Sequence, residues 1–271
     1  MRVAVLASGS SGNAIWVSSG STSVLVDAGI SARKILTAID ALDPDGTVDA
    51  VLVTHEHSDH VSGLRTLSRR TGARVYATAG THAVVDRKLK GIGERAVVEA
   101  GERFSVGDLD VAPFAISHDC VEPVGYSITD GSERVVVATD LGIVTHAVRH
   151  HISQADCLVL EFNHDERMLM DGSYPWFLKQ RILGRSGHLS NAAAARELIS
   201  LRDCPTSVLV LAHLSRENNT PELASAAAAE ALGRAGRSDI NVLLAERTPA
   251  DPVCLGADAG PSRRSETAAR I

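Results

Sequence analysis

Within six consecutive residues, His55 to His60, the chain carries three histidines and an aspartate in the order His-x-His-x-Asp-His. Imidazole and carboxylate are the normal ligands of zinc, manganese and iron, and a mixed nitrogen and oxygen set leaves room for a bound water. In a tight turn between a strand and a helix, His55 and His57 can point one way while Asp59 and His60 reach a neighbouring point. That is the arrangement a pair of metals needs. An ordinary polar loop rarely holds so many ligand types so close together.

His118, Asp140 and His213 lie far away in sequence but share a placement with His55. Each follows an apolar run: Val111–Ile116, Arg134–Ala138, Ser207–Ala212 and, for His55, Val48–Val53. Strand ends along one sheet edge are neighbours in space, so these side chains can meet. A single histidine after a strand is otherwise a hydrogen-bonded loop residue. For Asp140 two roles stand open: the N-cap of a helix beginning at Leu141-Gly142, or a carboxylate bridging two metals. Such a pair would bring the pKa of a bound water near neutrality and screen the charge on a phosphate. Asp59 would orient the attacking hydroxide.

Other residues suit an anionic substrate. The loop Ser8-Gly9-Ser10-Ser11-Gly12-Asn13 offers backbone N–H groups together with the polar side chains of Ser10 and Asn13 to a phosphate; it also reads as a tight hairpin turn. His188, between two helical stretches, could donate to a phosphate oxygen or protonate a leaving oxygen, against a purely local role beside Ser190 at a helix start. Lys179, Arg181, Arg185 and Arg216 would face an open groove in a nuclease. His82, His146, His150, His151 and His164 show no comparable pattern.

The elements that must position these groups are short. Strands are expected at Arg2–Ala7, Ala14–Ser18, Thr22–Val26, Arg74–Ala77 and Cys157–Phe162, with a last one at Asn241–Glu246 and a hairpin around Gly107-Asp108. Helices are expected at Ser31–Leu42, near Thr81–Leu89, at Pro175–Leu183, Asn191–Leu201 and Pro221–Ala235. No linker or repeat divides the 271 residues. One α/β domain, residues 1–247, is the economical reading, followed by a disordered tail at 248–271 rich in Gly and Pro. The formal charge of −6 gives no electrostatic sign of a nucleic-acid partner, although two divalent cations would make the site locally positive. Cys120, Cys157, Cys204 and Cys254 have no paired spacing and read as isolated thiols. The apolar run at the N-terminus is too short for a signal peptide, and none reaches membrane-spanning length. A soluble, cytoplasmic protein is expected.

Thr54-His55-Glu56-His57-Ser58-Asp59-His60 resembles the central motif of the metallo-β-lactamase superfamily, and His118, Asp140 and His213 follow in that superfamily's order. The resemblance implies an αββα sandwich of two mixed sheets flanked by helices. It implies one metal on His55, His57 and His118, a second on Asp59, His60 and His213, Asp140 as the bridge, and Asp27 as support for the motif loop. Position 56 is Glu, an iron ligand in flavodiiron relatives, but those also need a flavin domain absent here.

Further segments are similar to the YycJ/WalJ group: Leu6 to Asn13, Ile116 to Asp119, Gly125 to Ile128, Thr139 to Gly142, Asn163-His164-Asp165, Gly187 to Asn191 and Ala212 to Pro221. That group implies a 5′-to-3′ DNA exonuclease working with divalent metal, Zn or Mn, on DNA rather than RNA, with no obligate protein partner. In this reading Asp59 and His188 are catalytic, and Ser10, Asn13, His188 and Arg216 bind substrate. A small-molecule phosphodiesterase or thioesterase would use the same metals in a closed pocket. A non-catalytic metal-binding module would be marked by a missing ligand, and none is missing.

Overall fold

The computed structural model describes residues 1–245 and 253–255. The first half builds β1 (Arg2–Ala7), β2 (Ala14–Ser18), β3 (Ser23–Val26), α1 (Ala32–Leu42), β4 (Ala50–Leu52), α2 (Ser58–Val61), α3 (Leu64–Thr71), β5 (Arg74–Ala77), α4 (Ala79–Leu89) and β6 (Arg95–Val97). The second half builds β7 (Phe104–Val106), β8 (Leu109–Ala115), β9 (Val124–Thr129), β10 (Arg134–Ala138), α5 (His146–Ile152), β11 (Cys157–Glu161), α6 (Glu166–Asp171), α7 (Trp176–Leu183), α8 (Asn191–Leu198), β12 (Val208–Ala212), α9 (Pro221–Ala235), β13 (Asn241–Leu244) and β14 (Val253–Cys254).

The strands form two sheets of seven, ordered β14-β1-β2-β3-β4-β5-β6 and β13-β12-β11-β10-β9-β8-β7. Between the sheets lies one apolar layer fed by both, including Val5, Val17, Leu52, Tyr126, Val137 and Val159. A second layer, with Trp16, Ile35 and Leu64, seals α1 and α3 onto the first sheet. A third, with Leu160, Leu198 and Leu211, seals α8 and α9 onto the other. The result is the αββα sandwich.

Each sheet is mixed, and the parallel part positions the site. β3 to β6 run parallel, as do β10 to β13. Their sequences explain why: β11 and β12 are buried at every position, as strands covered on both faces must be. In parallel α/β sheets, ligands gather beyond the carboxyl ends of the strands. Asp27, His55, Asp140 and His213 stand just there.

Helix signals were legible. Ser31 caps α1, and Thr220 caps α9 with Pro221 inside the first turn and Gly236 left-handed at the end. Other expectations change. The hairpin at Gly107-Asp108 forms between β7 and β8, but β6, β9 and α6 are additional elements, and the helix expected from Leu141-Gly142 starts only at His146, as α5. The stretch after Leu198 tightens to a 3₁₀ turn, Ile199–Asp203. Asn241–Glu246 is not the last strand, because Val253–Cys254 pair antiparallel with Arg2 and Val3. The tail expected to be disordered lies outside the described residues, except at 253–255, where this pairing gives the chain order. Among the described residues no helix is long and apolar enough to cross a membrane.

Candidate metal centre

The motif loop is held tightly from below. Ala28 N–H donates to His60 O, and Asn13 N–H donates to Asp59 O at 2.7 Å. Gly29 presses against that same carbonyl so closely that a Cβ would stand 1.6 Å from Asp59 O, so only glycine fits. The single turn of α2 then swings Asp59 and His60 away from His55 and His57. Asp27 accepts from the Thr54 N–H and hydroxyl, both at 2.8 Å, and from His60 Nδ1 at 2.7 Å.

All seven sequence-derived ligand candidates converge. His55 Nε2 and His118 Nε2 approach His57 Nδ1 at 3.1 and 3.2 Å. A second group joins Asp59, His60 and His213, with Asp59 Oδ2 3.5 Å from His60 Nε2 and 3.7 Å from His213 Nε2. Asp140 stands between the two: its carboxylate oxygens lie 3.5 Å from His60 Nε2, 3.5 Å from His213 Nε2 and 3.8 Å from His118 Nε2. Asp140 does not cap a helix, since Thr145 caps α5. Asp27, Asp140 and His213 take positive φ, 61°, 59° and 57°, a conformation that costs most residues energy and that Asp and His tolerate better than others. It lets each turn sharply off its strand toward the centre.

These residues fit a cation. Asp140 Oδ2 and His213 Nε2 are buried without any hydrogen-bond partner, a costly state unless something else is bound there. The imidazoles are also oriented. His60 Nδ1 faces Asp27, His118 Nδ1 faces Gly187 O at 3.2 Å, and His213 Nδ1 faces Glu161 at 3.1 Å. In this tautomer Nε2 is left with its lone pair pointing inward, as metal-binding histidines are usually arranged. Burial, reinforced by neighbouring imidazoles, holds His55 and His57 below the ordinary imidazole range, so both are neutral donors. Burial would lower His60 and His213 as well, but the carboxylates outweigh it. Asp27 and Asp140 raise His60, and Asp140 with Asp59 and Glu161 pushes His213 up to about 10. The centre thus carries negative charge that calls for positive charge.

Glu161, at the end of β11, was missed in the sequence. It is fully buried and accepts from His188 Nδ1 at 2.7 Å, His213 Nδ1 at 3.1 Å and the N–H groups of Leu141 and Leu189 at 2.8 and 3.1 Å. Burial would raise its pKa, but His188 and His213 bring it down to about 2. Its carboxylate in turn raises His188 against the effect of burial. The available signal was a glutamate closing a run of buried apolar residues, a place where a charge needs a partner.

Beside the donors lies a cavity of about 170 Å³, lined among others by Ser10, Asp119, Tyr174, Arg181, His188 and His213. A larger hollow of about 470 Å³ between α8 and α9 holds none of the donors, so chemistry rather than size identifies the site. Ser10 is exposed on the cavity rim. Asn13 is turned inward: its amide nitrogen is 3.0 Å from His60 Nε2, and its oxygen accepts from Gly9 N–H. Arg216 follows Ser215 of the cavity lining in sequence and donates to Ser11 Oγ at 2.6 Å.

The basic groove is thinner than expected. Lys179 is buried, its ammonium spent on Met170 O and Gly172 O at 2.6 and 2.7 Å, and Arg181 pairs with Asp119. Glu56 turns from the centre to accept the Val121 N–H at 2.9 Å. Asn163 donates to His213 O at 3.0 Å, Asp165 caps α6, and His164 bridges to Ser190, which gives the Asn163-His164-Asp165 segment a positioning role beside His213.

Residues 22–214 match the family model described as the β-lactamase superfamily domain. The chain is 39% identical over 229 residues to exodeoxyribonuclease WalJ of Streptococcus pneumoniae, covering 82% of this chain and 85% of that one. It is 35% identical over 239 residues to exodeoxyribonuclease YycJ of Bacillus anthracis, covering 87% and 90%. Among solved structures it is similar in fold to the metallo-β-lactamase fold protein YhfI from Bacillus subtilis, with a TM-score of 0.68, 20% identity, and 91% of this chain and 97% of that one covered. Zn(2+)-bound PqqB from Methylobacterium extorquens has the same TM-score at 22% identity, with coverage of 93% and 100%.

Proposed function

The chain belongs to the metallo-β-lactamase superfamily, and on that premise we propose that it is a metal-dependent phosphodiesterase that degrades DNA exonucleolytically from the 5′ end. What carries the reading is the convergence of two donor triads around Asp140, in a chain related over most of its length to proteins named exodeoxyribonucleases. His55, His57 and His118 would hold one divalent ion and Asp59, His60 and His213 a second, with Asp140 shared. Zinc and manganese both suit these donors. When bound, the ions supply charge neutralisation at the phosphate and activation of water.

The chain's own groups do the rest. Asp59, partly exposed and held well below the ordinary carboxylate range by His213 and His60 despite burial, stays ionised and orients the attacking water. His188 keeps Nδ1 on Glu161, which leaves Nε2 for substrate. Glu161 raises its pKa against the effect of burial, which favours the protonated state that a proton donor to the leaving sugar oxygen needs. The Ser10 hydroxyl at the cavity rim and the Arg216 guanidinium beside Ser11 would bind phosphate. A DNA substrate puts the working protein in the cytoplasm.

The test is incubation of metal-loaded protein with DNA and RNA strands, single and double, labelled separately at each end. Early release of the 5′ label as mononucleotide from DNA is the expected result. Release from the 3′ end, or loss of RNA alone, would overturn the polarity or the substrate. Intact strands beside rapid hydrolysis of a nitrophenyl phosphodiester would favour a small-molecule substrate.

A further inference from the structure

Aromatic residues are scarce in this chain, at 3% of its composition, with two tryptophans and four phenylalanines. Trp16 is fully buried, whereas Trp176 is 58% and Phe177 72% exposed, adjacent on the first turn of α7. The same helix supplies Leu178, Arg181 and Ile182 to the cavity beside the metal centre, where Tyr174 joins them just before it. Phe177 stands one turn before Arg181 on the same helix face, beside the cavity wall, and Trp176 lies about 100° round the helix from it.

The helix that carries them is fixed. Lys179 ties its middle to the carbonyls of Met170 and Gly172, and Ile182 O accepts the His188 N–H at 2.9 Å. Rings on a rigid support lose little conformational entropy when something packs on them. The segment 174–188 bears three cations, Lys179, Arg181 and Arg185, and no carboxylate, in a chain with more acidic than basic residues. Arg181 is shared with Asp119 from outside the segment, and Arg185 is exposed. Two exposed aromatic side chains on the helix that walls the candidate phosphodiester site, with the exposed Arg185 just past its end, match the chemistry of single-stranded nucleic acid.

We propose that Trp176 and Phe177 form a stacking platform for the bases of single-stranded DNA as it leaves the metal centre, an inference that rests on the nuclease reading above. The platform is sequence-tolerant, because every base offers a π face, and it holds the strand while the terminal nucleotide is cut.

The test uses the full-length, metal-loaded protein and a (dT)₂₀ oligonucleotide, with Asp59→Asn in every protein so that binding is seen without cleavage. Because Trp16 is sealed in the core, tryptophan emission quenched by added DNA reports Trp176. The expected result is saturable quenching, with Kd raised about 5- to 150-fold by Phe177→Ala, the range of one base–aromatic stack. Phe177→Trp should restore binding, and Leu223→Ala, an exposed apolar residue on α9, should bind as the parent does. In the active protein, the Trp176→Ala penalty should lie in KM and shrink as the strand is shortened toward a dinucleotide. Cleavage of DNA by the active protein, with no quenching in its Asp59→Asn form and no change of Kd in Phe177→Ala, would overturn the platform while leaving the nuclease reading intact. Failure of the active protein to cut DNA, together with failure of the Asp59→Asn form to bind it, would overturn both. A dimer in light scattering that Trp176→Ala and Phe177→Ala split, with DNA affinity unaltered, would assign the rings to a second copy of the chain and overturn the proposal.

Discussion

Two buried carboxylates, one on each sheet, hold the centre from behind in different ways. Asp27 supports the motif loop: it fixes the Thr54 backbone and hydroxyl and one donor, His60. Glu161 reaches two histidines with different tasks, His213 among the metal donors and His188 outside the seven. The first sheet thus presents a prefabricated loop with a single prop. The second assembles its part from separate strand ends, and one glutamate joins a candidate metal donor to the proposed proton donor. Support on the first side should act through metal alone, and on the second through metal and proton together.

The largest break comes at Asp140, where the two sides meet. Asp140→Ala should lower turnover by more than about 10³-fold and reduce bound metal together, because both donor groups lose their shared carboxylate. Full metal content by elemental analysis with near-normal turnover would remove Asp140 from the site.

Next is His188→Ala, for which a loss of about 10²–10⁴-fold in kcat is expected with metal content retained. The loss should shrink on a nitrophenyl phosphodiester, whose leaving group needs no proton. Lost metal would instead make His188 a ligand.

The comparison itself is sharpened by Asp27→Asn against Glu161→Gln. Each should cost about 10–100-fold, the usual effect of removing the partner of a metal-binding histidine. In Asp27→Asn the rate should recover as metal concentration is raised. In Glu161→Gln a deficit should persist at saturating metal, because His188 has lost its partner. Equal recovery in both would show that Glu161 serves His213 alone.

The smallest effect lies outside both sides, at His151, stacked on Phe114 at 4.4 Å. Burial, then the nearby His150 and Arg134, pull its pKa down to about 4, below about 6.5 in the unfolded chain. Since the folded pKa is the lower, its contribution is present above pH 6.5 and lost as pH falls toward 4. Partly exposed, it is worth under about 1 kcal/mol after solvent screening. Urea melts of His151→Phe should therefore fall less steeply between those pH values than wild type.

What could be read from the residues alone follows the same division. The loop from His55 to His60 is contiguous, so its chemistry is visible without a fold. His118, Asp140 and His213 were legible because apolar runs announce their own ends. Glu161 was hidden because it closes such a run inside the strand, where only three-dimensional partners distinguish a support from a chance carboxylate. Lys179 was misread as groove-facing because a sequence does not show which carbonyls an ammonium reaches. β14 was missed because two residues in a Pro/Gly-rich stretch give no periodicity; their order comes from the free edge of β1.

The left-handed backbone at Asp27, Asp140 and His213 has a consequence for engineering. Each position asks a side-chain-bearing residue to hold a shape that glycine adopts freely, at a cost of about 1–2 kcal/mol. Asp140→Gly would relieve that cost, yet in the metal-free protein it would also leave His60 and His213 buried without a carboxylate that holds them charged. Relief of backbone shape and loss of charge balance therefore oppose each other at this strand end, so stability and activity need not move together. A screen that retains function must score turnover in the same round.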